Sequence, residues 1–138
     1  MREEVYDFLK EYGFDSNDLN ELEEVNDNVY FLKKENVSTL IKHFEEKGFS
    51  KEEIINIINN NINLITLSLN DIEEYDDIFL NYLNFNIDEY QTLVNNLCIY
   101  DIEIRMIKEV INLLEQKGYN NNKIKKLIVS NPNILNIN

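Results

Sequence analysis

The three glycines of this chain, Gly13, Gly48 and Gly118, lie on one phase. The first spacing is 35 residues and the second is 70, twice the first. A copy missing from the series is expected near position 83, where the chain reads Asn84-Phe85. Asparagine is the residue other than glycine that best tolerates a left-handed backbone. The register extends on both sides of the four positions. An aromatic follows each time: Phe14, Phe49, Phe85 and Tyr119. A helix N-cap candidate comes next: Asp15, Ser50, Asn86 and Asn120, all side chains that can accept from a free backbone N–H. Ser50-x-x-Glu53 spells a capping box, Asn86-x-x-Glu89 comes close to one, and the last copy breaks the pattern with Lys123.

Apolar residues then recur at helical spacing: Leu19 and Leu22, Ile54 and Ile57, Tyr90 and Leu93, Ile124 and Leu127. Another stands four residues before each stop: Leu9, Phe44, Leu80 and Leu114. Each unit therefore reads as a helix A, a tight stop with positive φ, and a capped helix B. The aromatic is placed to staple the start of helix B. An apolar pair follows as a tail in Val29-Tyr30, Leu64-Ile65 and Ile134-Leu135. In the third unit, Asp76 takes the place held elsewhere by Val5, Leu40 and Val110, so a local shift of phase is expected there. The expected fold is all-α, a helical-repeat (α-solenoid) stack of about four helix pairs, each of about 35 residues. It forms one domain over residues 1–138, with units near 1–35, 36–67, 68–100 and 101–138.

The unit resembles the repeat of the mitochondrial transcription termination factor (mTERF) family. That repeat is a helix, Gly-aromatic, a capped helix, and a Pro-containing turn followed by two apolar residues. Lys47-Gly48-Phe49-Ser50-Lys51-Glu52-Glu53-Ile54-Ile55 reads like that signature. So does Lys117-Gly118-Tyr119 through Asn131-Pro132-Asn133-Ile134-Leu135. The resemblance covers nearly the whole chain. It implies a curved α-solenoid with a short third helix closing each unit, and nucleic-acid binding in organelles through a basic inner surface. The chain departs from the family pattern in being acidic, in showing no transit peptide, and in keeping the proline only in its last unit. Asp27 and Ile62 stand at the matching positions of the first two units.

Charge sets the expected partners. The 138 residues carry 13 Lys+Arg and 26 Asp+Glu, a net of −13. Such a chain repels a phosphate backbone unless its cations are gathered in one place. They are partly gathered. Residues 105–138 hold six cations (Arg105, Lys108, Lys117, Lys123, Lys125 and Lys126) and two anions, a net of +4. Residues 1–104 hold the other seven cations and 24 anions, a net of −17. The six cations are the candidate contacts for nucleic acid or a partner. An acidic body suits a basic protein segment better than nucleic acid, and the basic end could also meet the acidic end of another copy, head to tail. Protein–protein interaction through the acidic surface is therefore the expected function, and nucleic-acid binding through the basic last unit is the alternative.

No constellation for catalysis, a cofactor or a metal is expected. The acidic cluster Asp71, Glu73, Glu74, Asp76 and Asp77 lacks the glycine and the ligand alternation of a calcium loop, and reads as a solvated helix face. His43, between Leu40 and Phe44, is placed at the edge of a buried stripe without a partner base. Cys98 follows Val94 and Leu97 and is expected to be buried and inert. The eight tyrosines lack interleaved arginine, which weakens a base-stacking platform. With a charged, acidic N-terminus and no long apolar run, the expected location is the cytoplasm, and no membrane segment is expected. With no Ala and much Asn and Ile, the residue usage reads as codon bias from an AT-rich genome, and the asparagines as drift.

Overall fold

All four predicted stops adopt the backbone that the sequence demands. The φ angles are +133° at Gly13, +89° at Gly48, +57° at Asn84 and +93° at Gly118, and Asn84 is the residue other than glycine with positive φ. Gly13 is constrained twice, since a Cβ there would also lie 3.0 Å from Ile55 Cδ1. The computed structural model describes residues 1–136, so positions 137 and 138 of the fourth unit lie outside the described residues. Among the described residues there are eight α-helices and no strand. They are α1 (Glu3–Tyr12), α2 (Ser16–Val25), α3 (Lys34–Glu46), α4 (Lys51–Asn60), α5 (Leu69–Asp76), α6 (Ile87–Asn96), α7 (Ile104–Gln116) and α8 (Asn121–Ser130). The odd-numbered helices are the A helices and the even-numbered ones the B helices. A short 3-10 turn closes each pair, at Asp27–Phe31, Leu64–Thr66, Ile99–Asp101 and Pro132–Asn136. The chain folds as two compact units, one spanning Met1–Leu69 and one beginning at Asn70, with two helix pairs in each.

Every B helix is capped as the sequence indicates. Asp15, Ser50, Asn86 and Asn120 each accept from the backbone N–H three residues on. Ser50/Glu53 and Asn86/Glu89 both complete the reciprocal capping box. By contrast, α1, α3 and α7 start without a side-chain cap. The aromatic after each stop closes helix A by donating its N–H back to it: Phe14 to Leu9, Phe49 to Phe44 and Tyr119 to Leu114, at 3.0–3.1 Å. Its ring also packs against helix A, edge-on to Phe44 at 5.3 Å for Phe49 and to Phe79 at 5.5 Å for Phe85. This is the apolar clasp that accompanies a Schellman-type stop. Phe14, Phe49 and Phe85 are buried, whereas Tyr119, in the last pair, is 38% exposed.

The third pair corrects the sequence alignment. α5 runs into a π-helical segment, Asp77–Tyr82. Phe85 consequently donates to Phe79 instead of Leu80, one residue further back than in the other pairs. Phe79 is fully buried and takes the place assigned to Leu80, which is only half-buried. One inserted residue inside a helix is the usual cause of a π turn. With the insertion counted, Tyr75 matches Leu40 and Val110, and Asp76 matches the buried Ile41 and Ile111. Asp76 is thus no part of a solvated face. It is buried, and its Oδ1 accepts from the hydroxyl of Tyr90 at 2.8 Å. The Tyr90 and Tyr100 hydroxyls share a further hydrogen bond of 3.0 Å. Burial, chiefly, raises the Tyr90 phenol well above its ordinary range, and the neighbouring Tyr100 and Asp76 add to the effect.

The third pair gives its extra residue back before the fourth begins. Leu97 ends α6 where Asn26, Asn61 and Asn131 end the other B helices. Its apolar pair, missing from the sequence reading, then comes one residue early after the end of the helix, as the buried Ile99 and Tyr100. Cys98 falls in this shortened junction, outside α6, and is exposed instead of buried. The stripe of Val94 and Leu97 does not reach it because the helix has already ended. His43 is half-buried, with its ring edge-on to Phe44.

Candidate nucleic-acid interface

The two compact units pack their helix pairs by the same rule. In the first, α4 follows the stop at Gly48, and its Lys51 and Ile55 lie against the preceding stop. Lys51 Cδ and Ile55 Cδ1 are the atoms nearest a Cβ built on Gly13, and the Lys51 ammonium sits 4.9 Å from the Tyr12 ring centroid. In the second, α8 follows the stop at Gly118, and Asn121 and Lys125 stand at the corresponding positions. Asn121 Nδ2 donates to the Tyr82 carbonyl at 3.1 Å, and Lys125 Nζ donates to the Asn84 carbonyl at 3.3 Å. Lys125 also pairs with Glu89 at 2.9 Å. The Glu89 carboxyl is held below the ordinary range, first by the Asn86 backbone N–H of its capping box and then by Lys125. Lys125 therefore joins the third and fourth pairs, in the place that Ile55 holds in the first unit.

The six candidate cations separate accordingly. Lys125 is committed to packing. Arg105 is exposed beside Glu103, at 3.4 Å, and an ion pair so exposed adds little to stability. Lys108 lines a groove between the π segment and α7, together with Glu74, Asp77 and Glu115. Lys117 ends α7, and Lys123 and Lys126 lie on α8; all three are exposed and form no ion pair among the described residues. Lys123 and Lys126 are three residues apart and share a helix face.

Lys123 occupies a position of special electrostatics. It is the third residue of its B helix, where the other three pairs have Asp18, Glu53 and Glu89. The start of a helix carries partial positive charge and favours an anion. The last pair puts a cation there instead, and so gives up both the capping box and the favourable charge. No local feature of packing requires it, since the Lys123 side chain is exposed.

Sequence reasoning missed the buried asparagines. Asn26 Nδ2 donates to the Ile62 carbonyl at 3.2 Å and to Thr66 Oγ1 at 3.0 Å, joining the 3-10 turns of the first two pairs. Asn61, at the matching position, is buried and donates to the Ile57 carbonyl. The signal was the recurrence of Asn26, Asn61 and Asn131 at one register, hidden by the abundance of asparagine elsewhere.

Among the described residues no group of three or more His, Cys, Asp or Glu side chains converges as a metal site. No helix among them is long and apolar enough to cross a membrane. The mTERF family model matches residues 2–138. No curated protein matches the chain.

Proposed function

The chain belongs to the mTERF family, and from that premise we propose that it binds nucleic acid through its last helix pair. Proteins of this family are typically nucleic-acid-binding helical repeats. The observation that carries the reading is Lys123, a cation where every earlier pair has an acid, on the same exposed face as Lys126. Exposed ammonium groups on one face can meet successive phosphates as point charges. With Lys117 they supply about three contacts, enough for weak, sequence-independent binding. The test is fluorescence anisotropy with labelled duplex DNA at low salt. Reversing Lys117, Lys123 and Lys126 to Glu should weaken binding at least tenfold, or roughly 1.4 kcal/mol. Unchanged affinity would remove this site.

A second reading rests on residues 1–104, whose net charge of −17 favours a basic protein segment as partner. On this reading a basic peptide binds the triple-reversal variant at least as well as the original chain.

A further inference from the structure

The unit that begins at Asn70 contains an open groove of about 540 Å³ beside α7. Its floor is apolar, made by Ile78 from one side and Ile111 from the other. Ile78 and Ile111 are almost fully buried beneath it, and Tyr82, on the rim, is 47% exposed. The rim is acidic. Glu74, Asp77 and Glu115 stand around the opening against a single ammonium, that of Lys108. Glu74 has no ion pair among the described residues, and the Tyr82 hydroxyl donates to Glu115 Oε2 at 2.6 Å, fixing one wall. That hydrogen bond, first of all, raises the Tyr82 phenol above its ordinary range, so it remains a donor at neutral pH.

The π segment lines one side of the groove. Asp77, Ile78 and Tyr82 all belong to Asp77–Tyr82. A π turn advances fewer degrees per residue than an α turn, so the inserted residue rotates the following side chains around the helix. The extra residue that hid the third repeat in the sequence thereby helps to form the groove.

We propose that this groove binds a short basic protein segment with one apolar anchor, the anchor seated between Ile78 and Ile111 and flanking Arg or Lys meeting Glu74, Asp77 and Glu115. The inference rests on the second reading above, a basic protein partner, and assigns it a place. Charge complementarity selects the occupant. Three carboxylates around an apolar floor repel a phosphate backbone and attract a cationic peptide, and the floor adds the burial that a purely ionic contact lacks.

The test is a titration of the full ¹⁵N-labelled chain, followed by amide shifts, with three peptides. One has a central leucine flanked on each side by two arginines, one replaces the leucine with serine, and one replaces the arginines with glutamates. The leucine–arginine peptide should shift Ile78, Tyr82 and Ile111. The serine peptide should bind at least roughly tenfold more weakly, the loss expected for one unburied leucine, and the glutamate peptide not at all. Glu74→Lys should weaken the first peptide roughly tenfold, while Glu46→Lys on α3 should leave it unchanged. Binding that needs the arginines but neither the leucine nor Glu74 would overturn the groove and leave the basic-partner reading standing. Failure of the leucine–arginine peptide to bind would overturn both. The same shifts on concentrating the chain alone would assign the groove to a second copy and overturn the proposal.

Discussion

Single residues carry most of what distinguishes one helix pair from another. Lys123 is the clearest case, because its position is electrostatically wrong for a cation and right for an acid. Lys123→Glu should complete the capping box with Asn120 and stabilise the chain by about 0.5–1 kcal/mol, read as a higher Tm, while weakening DNA binding. A variant that loses stability would contradict the electrostatic account of this position, and one that gains it with no loss of binding would show that the lysine has no part in binding. Asp76 shows the limit of reading residues one at a time. In the sequence it belongs to an acidic run, and only the insertion after it reveals that it faces the core beside Tyr90 and Tyr100. Tyr90→Phe removes a buried donor to a carboxylate and should cost roughly 1.5–3 kcal/mol in denaturant unfolding. An unchanged midpoint would mean that Asp76 draws its satisfaction from elsewhere. The same limit hid Asn26 and Asn61, because an asparagine that joins two turns has the same letter as one fixed by drift.

The elements were legible in proportion to how local their signals are. The stops and the B-helix caps are set by a few adjacent residues, and all four of each stand where the sequence puts them. The register of the third pair depends on an insertion in the π segment and a compensating loss near Cys98. These cancel within the 70-residue spacing from Gly48 to Gly118, so the period looks intact while the pair inside it is shifted. The contact of Lys125 with Glu89 is likewise a matter of packing between pairs, which no local motif announces. It has a consequence for pH. The Glu89 carboxyl is lowered in the folded chain, so its contribution is fully present above its ordinary value of 4.5 and is lost as pH falls through the lowered value. Glu89→Gln should therefore reduce Tm near neutral pH, and the difference from the original chain should shrink as the solution is acidified below pH 4.5. A gap that stays constant into acid would mean that Glu89 acts by packing and not by charge.

At the scale of the whole molecule, charge and family point in different directions. A net charge of −13 disfavours nucleic acid in general, and the basic cluster that the sequence suggested is smaller than it looked, since Lys125 is committed to packing, Arg105 stands beside Glu103 and Lys108 lines the acidic groove. What remains for phosphate is Lys117, Lys123 and Lys126. This makes the central claim quantitative. About three neutralised phosphates predict that log K for duplex DNA falls with log salt at a slope of about −2.7, close to −3, which corresponds to a loss of about 40-fold between 50 and 200 mM salt. The decisive measurement is that slope, obtained by anisotropy across a salt series for the original chain and for the variant with all three lysines reversed. A slope near −3 that collapses in the variant is the predicted result. No binding at the lowest salt, or a slope that the reversals leave unchanged, would contradict it.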